Sequence, residues 1–556
     1  MTRTDSRRIV PLLLLLAGTL AIFLAGLGRL PLFGRDEALY AEAGREMLAT
    51  GDWVTPRVNG GPFLEKPPLY YWMAAVSYRA LEASPFAARL PAALMGILTV
   101  FLTASIGARV WGRRAGLLAG ASLATSLQMA MIGRMGILDV PLTCLTVLAL
   151  MAYAGWRRRA GIATAVGFGL CVGLAVLLKG MAGMLPVAVA VVHTFFSRGR
   201  PAPEGGGEPA HAVPAPHRLA PITMACLVAI LVASPWFVLM AMRHGEAFGS
   251  TLFLREHLTR MVQPMQGHGG PVWYYLALIA VSFFPWVVFL PAAMRPGSRP
   301  CNEDQAFWQS LALAWIAVVL IPFSLVSTKL PGYVTPLFPA MALLVGAELD
   351  RNLHESRRGA WIAAIAGAFV LSVLVVLLPI AGERLGARVG ASHAASLLIP
   401  PVAIWVGGYG LIALGSIRAL AGGRKVATGM LLAGQCVIVA AVLGGVLPVL
   451  SPYLGGASSS LAELAQRELP NSQVVLYQTR AESVAFVLER SVPVFSSDQQ
   501  QQLLDALRAQ PTALLAPLGE DAFWAQLPAR RIWRNGDHVL LDIPRTSDEP
   551  AERPAT

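Results

Sequence analysis

Apolar runs of roughly 18–25 residues, separated by short stretches holding Arg and Lys, recur along most of the chain. A run of that length crosses a bilayer as an α-helix, and in lipid the backbone must be satisfied within the segment, which excludes open strands. The pattern predicts about 13 spans, near 9–30, 85–107, 115–132, 137–156, 161–178, 182–196, 219–241, 271–294, 308–325, 331–348, 359–381, 394–418 and 426–450. The first follows Arg3, Arg7 and Arg8, is longer than the apolar core of a signal peptide, and is expected to be retained as a span. With the N-terminus inside, the alternate connections carry 20 Lys and Arg on the cytoplasmic side against 8 in the short outer loops. That is the bias of the positive-inside rule.

Two segments of the first outer loop, 31–84, have helical pattern without the length to span. Residues 36–50 open with Asp36 and Glu37, where the helix dipole favours negative charge. Residues 67–82 are short and carry Arg79, and counting them as a span would invert every later loop. Both are predicted to lie at the outer membrane interface, with Tyr70, Tyr71 and Trp72 at that boundary. The Pro/Gly-rich stretch 199–217, with His211 and His217, reads as a cytoplasmic loop. After Leu450 the composition is that of a soluble protein. Strand-like runs at 473–477, 492–496 and 512–516 alternate with helix-like runs at 481–489 and 498–509, and Asn535-Gly536 marks a hairpin. The chain thus divides into a membrane domain, 1–450, and a small outer α/β domain, 451–556.

Composition agrees: of 556 residues 55% are hydrophobic and 14% charged, with mean hydropathy +0.58, where a soluble protein carries about 25% charged residues. The net charge of +12 sits in clusters between spans, so it argues for topology and against nucleic acid. Cys144, Cys171, Cys226, Cys301 and Cys436 have no ligand spacing and predict neither disulfides nor a zinc finger.

Charged residues keep to the ends of the spans. A transporter is expected to place coupling groups or broken helices at the midplane, so that reading is disfavoured. Polar residues gather on the outer side instead: Asp36, Glu37, Glu65, Lys66, Asp139, Arg255, Glu256, His257, Arg260, Lys329 and Tyr333. Cations and carboxylates together at a membrane surface suit a lipid-borne phosphate, the cations binding it and a carboxylate taking a proton from a hydroxyl. Arg243, Arg384 and Arg388 read as ordinary solvated loop charges.

The stretch Arg35–Trp72, RDEALYAEAGREMLATGDWVTPRVNGGPFLEKPPLYYW, resembles the first outer loop of the bacterial aminoarabinose transferases, within the protein-O-mannosyltransferase-like superfamily of GT-C glycosyltransferases. Further matching pieces follow in order: Ala88-Arg89-Leu90-Pro91, Arg134 with Leu138-Asp139, Leu178-Lys179-Gly180, Glu256-His257 with Arg260, and Lys329-Leu330-Pro331 with Tyr333. The resemblance implies a polytopic α-helical GT-C fold, an outward-facing cavity near the membrane surface, juxtamembrane helices in the first loop, and a soluble C-terminal domain. It implies Asp36 as the essential carboxylate, Asp139 as a second acidic residue of the site, and Lys66, Arg260, Lys329 and Tyr333 as donor-phosphate ligands. Glu37, Arg134 and Lys179 would support them. The implied reaction is an inverting transfer of a sugar, aminoarabinose, from an undecaprenyl-phosphate carrier to lipid A phosphate at the periplasmic face of a bacterial inner membrane. Transfer of a hexose to protein or to a cell-wall glycan stays open, because short motifs specify neither sugar nor acceptor. No cofactor is required; Glu65 and His257 are donors that suit a Zn²⁺ ion.

Overall fold

The computed structural model describes residues 3–32, 34–159, 161–196, 220–252, 269–295, 302–353, 358–379, 394–454, 456–518, 527–535 and 538–545. The first loop carries helices α2 (Arg35–Thr50) and α3 (Leu69–Leu81) after α1 (Arg3–Leu24), with a two-strand hairpin between them, β1 (Arg57–Val58) and β2 (Gly61–Pro62). Then come α4 (Pro85–Trp111), α5 (Arg113–Ala124), α6 (Leu127–Ile132), α7 (Asp139–Arg159), α8 (Ile162–Lys179), α9 (Leu185–Phe196) and α10 (Ala220–Gly249). The membrane part continues with α11 (Tyr274–Ser282), α12 (Leu290–Ala293), α13 (Glu303–Leu325), α14 (Phe338–Asn352), α15 (Arg358–Val376), α16 (Ala394–Leu420) and α17 (Arg424–Ala441).

Among the described residues nine helices are long and apolar enough to cross a bilayer, or ten if the pair Tyr274–Ser282 and Trp286–Ala293, bent by 107°, counts as one span. The sequence pattern predicts about 13, and three segments account for the difference. The first helix ends at Leu24, and its apolar part, Ile9–Leu24, is short. The 115–132 run breaks between Thr125 and Ser126: Ser126 caps α6 by accepting from the Met129 N–H, and the Thr125 carbonyl takes a hydrogen bond from Gln435 of α17 at 2.9 Å. The apolar stretch 162–195 turns at Gly180, whose φ of 60° and ψ of −132° suit glycine. Beyond that turn α9 has 12 residues, or about 18 Å of helix against a hydrocarbon core of about 30 Å.

Close approach of small residues joins the helices, as is usual where lipid offers no hydrophobic drive. A Cβ on Gly116 would lie 2.4 Å from the Ala104 carbonyl in α4, and one on Gly346 of α14 would lie 2.5 Å from the Ala115 carbonyl in α5.

Two of the aromatics expected at the membrane boundary lie inside the protein instead. Tyr70 and Tyr71 are fully buried, in a cluster that joins α2 and α3 to Leu138 just before α7, Leu142 of α7 and Leu178 of α8. The Tyr70 hydroxyl donates to the Ala88 carbonyl at 2.9 Å. The first loop therefore forms a second layer on the ends of α7 and α8, and each buried tyrosine contributes about 2–3 kcal/mol. Arg243 is exposed, as expected of a solvated charge, and also donates to Asp52 at 2.8 Å, which ties the end of α10 to this layer. Arg384 and Arg388 lie outside the described residues.

After Leu454 come α18 (Gly456–Glu468), β3 (Gln473–Tyr477), α19 (Glu482–Leu488), β4 (Val494–Phe495), α20 (Gln500–Ala509), β5 (Thr512–Pro517), β6 (Arg531–Asn535) and β7 (His538–Ile543). The strands form one sheet in the order β4-β3-β5-β7-β6, parallel around β3 and antiparallel at β7. Alternate residues feed opposite faces: Val474, Leu476 and Leu515 pack under α18 and α19, while Val475, Tyr477 and Leu514 pack under Leu503 and Leu507 of α20. The sheet unit is fastened to the first loop. Asn59 and Val492 exchange two hydrogen bonds, of 3.1 and 2.7 Å, and Arg45 donates to the Glu489 carbonyl at 3.1 Å.

Arg45 is itself gripped by Glu42 through two bonds of 2.7 Å. Burial pushes the Glu42 carboxyl up to about 7, against the pull of Arg45 and with the help of neighbouring Glu46. A folded-state value above the unfolded one means stability that is full in acid and lost as pH rises through 7. The wild type is therefore expected to lose up to about 3 kcal/mol between pH 4.5 and 8 that Glu42→Gln does not lose. Apparent melting temperature against pH for the two proteins checks this; parallel profiles would refute it.

Candidate active site at the junction of α2 and α7

The site is organised by one buried ion pair. Arg89, in the first turns of α4, donates to both oxygens of Glu37 at 2.8 and 2.9 Å. It also donates to the carbonyls of Leu27, Leu30 and Pro31 at 2.8–2.9 Å. Glu37 in turn accepts from the Gly136 N–H at 2.8 Å. Every polar atom of the pair is answered, which offsets the large cost of burying two charges. The start of α2 is thereby pinned to the turn that leads into α7, so Asp36 and Asp139 sit on either side of the Glu37–Gly136 bond. Glu37, expected as a supporting residue, acts as the strut that sets this geometry.

Asp139 opens α7 and Lys179 closes α8, which returns beside it; their side chains meet at 2.6 Å and are 12% and 15% exposed. The Lys179 ammonium stands 5.3 Å from the centre of the Tyr333 ring. Tyr333 is delivered by a 3-10 segment, Pro331–Leu337, which Gln128 of α6 holds by donating to the Pro331 carbonyl at 2.7 Å and to Thr335 at 3.0 Å. Gly332 permits that approach, because a Cβ there would lie 2.6 Å from the Asp139 carboxyl carbon. On the α2 side, Arg35 lies 3.7 Å from Glu65, which brings the Glu65-Lys66 pair to the N-terminus of α2. Asp36 is half-buried and has no hydrogen-bond or ion-pair partner among the described residues.

The structure thus brings Asp139, Lys179 and Tyr333 together at the ends of α7 and α8 and Arg35 and Glu65 together at the start of α2, with the Glu37–Gly136 bond between the start of α2 and the turn into α7. Two other expected residues sit differently. Lys329 gives its ammonium to the carbonyls of Phe323, Ser324 and Val326 at 2.6–3.0 Å, so it caps the C-terminus of α13, where the dipole favours a cation. Burial lowers its pKa. Arg134 does the same for α1 through the Ile22 and Ala25 carbonyls at 2.6 and 2.7 Å. Arg255, Glu256, His257 and Arg260 lie outside the described residues. Of the two expected metal donors only Glu65 is described, and it faces Arg35; no group of three or more His, Cys, Asp or Glu is placed for a metal among the described residues. Sequence reasoning missed Arg35 and Gln128. Arg35 is adjacent to Asp36, and Gln128 is a lone amide in an apolar run, which is the available signal for each.

Helical layers, the two-helix first loop and the appended sheet define a polytopic α-helical membrane protein with a small sheet unit attached. The chain aligns over 97% of its length with the crystal structure of ArnT from Cupriavidus metallidurans bound to undecaprenyl phosphate, covering 99% of that chain at 23% identity and a TM-score of 0.76. It also aligns with the oligosaccharyltransferase AglB of Archaeoglobus fulgidus, at 13% identity and a TM-score of 0.53 over 92% of this chain and 70% of that one. The profile of the dolichyl-phosphate-mannose-protein mannosyltransferase family matches residues 8–243. In sequence the chain is similar to undecaprenyl phosphate-alpha-4-amino-4-deoxy-L-arabinose arabinosyl transferases. That of Aeromonas salmonicida is 30% identical over 371 residues, 64% of each chain. One from Sodalis glossinidius is 32% identical over 385 residues, 66% of this chain and 65% of its own. The match thus spans just under two thirds of the length of these relatives.

Proposed function

We propose that the chain is an integral membrane glycosyltransferase that moves aminoarabinose from an undecaprenyl-phosphate carrier to lipid A phosphate, in a bacterial inner membrane with its site on the periplasmic side. The observation that carries the assignment of roles is the division of labour between the two aspartates. Asp139 is held by Lys179, which leaves Asp36 as the carboxylate without an ion pair among the described residues. The names of the relatives supply the donor and acceptor classes.

In the proposed reaction an acceptor oxygen bonds to the anomeric carbon from the face opposite the carrier. The bond from that carbon to the phosphate oxygen breaks, and the electron pair leaves with the lipid phosphate. Lys66, with Arg260 beyond the described residues, stabilises the charge that develops on that phosphate. Lys179 holds Asp139 through their 2.6 Å contact and stands 5.3 Å from the centre of the Tyr333 ring. A phosphate acceptor arrives already ionised, so Asp36 then orients it; a hydroxyl acceptor requires Asp36 as the base. Transfer of a hexose to a protein hydroxyl is the second reading, supported by the mannosyltransferase profile over residues 8–243.

The test is the mass spectrum of lipid A from cells lacking lipid A sugar modification, with and without this chain. A pentosamine-sized gain on phosphate is expected, and is expected to vanish in the Asp36→Ala control. No gain from expressed, folded protein would refute the aminoarabinose assignment and turn the search to hexose products on protein.

A further inference from the structure

The C-terminal half of α2 lines a concavity away from Asp36. A cleft of about 550 Å³ opens between the first loop and the sheet unit, walled by Arg45, Glu46, Asp52, Arg57, Glu489 and Arg490 among others. Three guanidinium groups from three separate segments converge there. The carboxylates beside them are mostly engaged. Glu46 accepts from the Gly60 N–H at 2.9 Å. Asp52 accepts from Arg243 and from the N–H groups of Val54 and Thr55. Arg45 has Glu42, but Arg57 reaches only the Gly60 carbonyl, at 3.5 Å, and Arg490 forms no ion pair among the described residues. Glu46, Asp52 and Glu489 all line the cleft with the arginines, and the exposed Glu489 is the one of the three whose carboxylate has no hydrogen bond among the described residues.

The walls are fixed before any ligand arrives. The reciprocal Asn59–Val492 bonds and the Arg45–Glu489 bond clamp the β1–β2 turn and the end of α19 at a set distance. The backbone segments that carry Arg57 and Arg490 are thereby held on opposite walls, and planar guanidinium forks are the side chains best matched to phosphate oxygens. Such preorganisation spares a ligand the ordering cost of the groups that bind it.

We propose that this cleft is an anion subsite for a phosphate-monoester group, held by Arg57 and Arg490 with Arg45 behind them. Its assignment to the acceptor rests on the glycosyl-transfer reading above; the anion site itself does not. Arg45 lies nine positions after Asp36 on one helix, a rise of about 14 Å. An extended acceptor spans that distance, with its reacting oxygen at Asp36 and a phosphate in the cleft.

The test measures binding without turnover, on full-length protein in detergent. A phosphorylated glycolipid in mixed micelles, the same glycolipid after phosphatase treatment, and inorganic phosphate are each titrated against the wild type, Arg57→Ala/Arg490→Ala, and Glu489→Gln. The double variant is expected to bind the phosphorylated glycolipid roughly tenfold more weakly and the dephosphorylated one unchanged. Glu489→Gln is expected to bind the phosphorylated form more tightly, which loss of folding cannot mimic. Arginine-dependent binding of inorganic phosphate alone would keep the site and make its ligand soluble phosphate. Equal affinity of wild type and double variant for the phosphorylated glycolipid would overturn the proposal. Failure of sugar transfer with these differences intact would sink the reaction and not the cleft.

Discussion

Replacing Asp36 by Asn is expected to lower sugar transfer by at least about a hundredfold, with the protein folded and the carrier still bound. The substitution keeps size and removes only the charge. Asp36 lies on the exposed side of a start of α2 that Glu37 and Arg89 hold in place, so its loss should leave the fold alone. A general base contributes about 10²–10⁴ in rate, and an oriented charge a comparable factor. The shape of the pH profile separates the two roles. Loss of an acidic limb in the variant would mark a base working on a hydroxyl, whereas a uniform fall would mark a carboxylate that positions an ionised acceptor. Steady-state assays with lipid-linked donor over pH 5–9 supply the measurement. Retention of more than about a tenth of the activity would remove Asp36 from the chemistry and hand its place to Asp139.

Arg89→Ala is expected to destabilise the protein by about 3–5 kcal/mol, enough to abolish folded yield in a protein of ordinary marginal stability. The loss comes chiefly from what is left behind: a Glu37 carboxylate that is 1% exposed, and the carbonyls of Leu27, Leu30 and Pro31, after α1, without their donor. Glu37→Gln in the same background should recover part of the yield, because it removes the stranded charge. Detergent-solubilised yield and melting temperature of the single and double variants give the comparison. An Arg89→Ala protein that melts with the wild type would show that the pair does not organise the junction.

Much of the fold can be read from period and length. The helices at 36–50 and 67–82 and the strands at 473–477 and 512–516 follow from local pattern. Contacts between distant segments do not. Tyr70 and Tyr71 have the character of interfacial residues, and nothing in residues 67–82 announces that α2 and the ends of α7 and α8 will cover them. The span count fails for a related reason: the Thr125 break is tolerated because Gln435, 310 residues away, satisfies the freed carbonyl.

The site shows the same limit. That Asp36, Lys66, Asp139, Lys179 and Tyr333 carry polar chemistry on one side is legible in their types and in their place between spans. Which charges neutralise one another is not. Glu37 and Asp36 are neighbours of like type, yet one is locked to an arginine 52 positions away and the other is left for chemistry. Lys329 and Lys179 look alike in sequence; one caps a helix and the other holds an aspartate.

The clasp between Arg45 and the Glu489 carbonyl joins residues 444 positions apart. At about 5–20 residues per second, a nascent chain whose first loop is already made waits roughly 20–90 s for the partner of that clasp to be synthesised. For that interval α2, with Glu42 and Glu46 along it, has its far end undocked. Assembly of the sheet unit is then a clock as well as a brace, and the cleft it closes comes into being only when nearly the whole chain has been made.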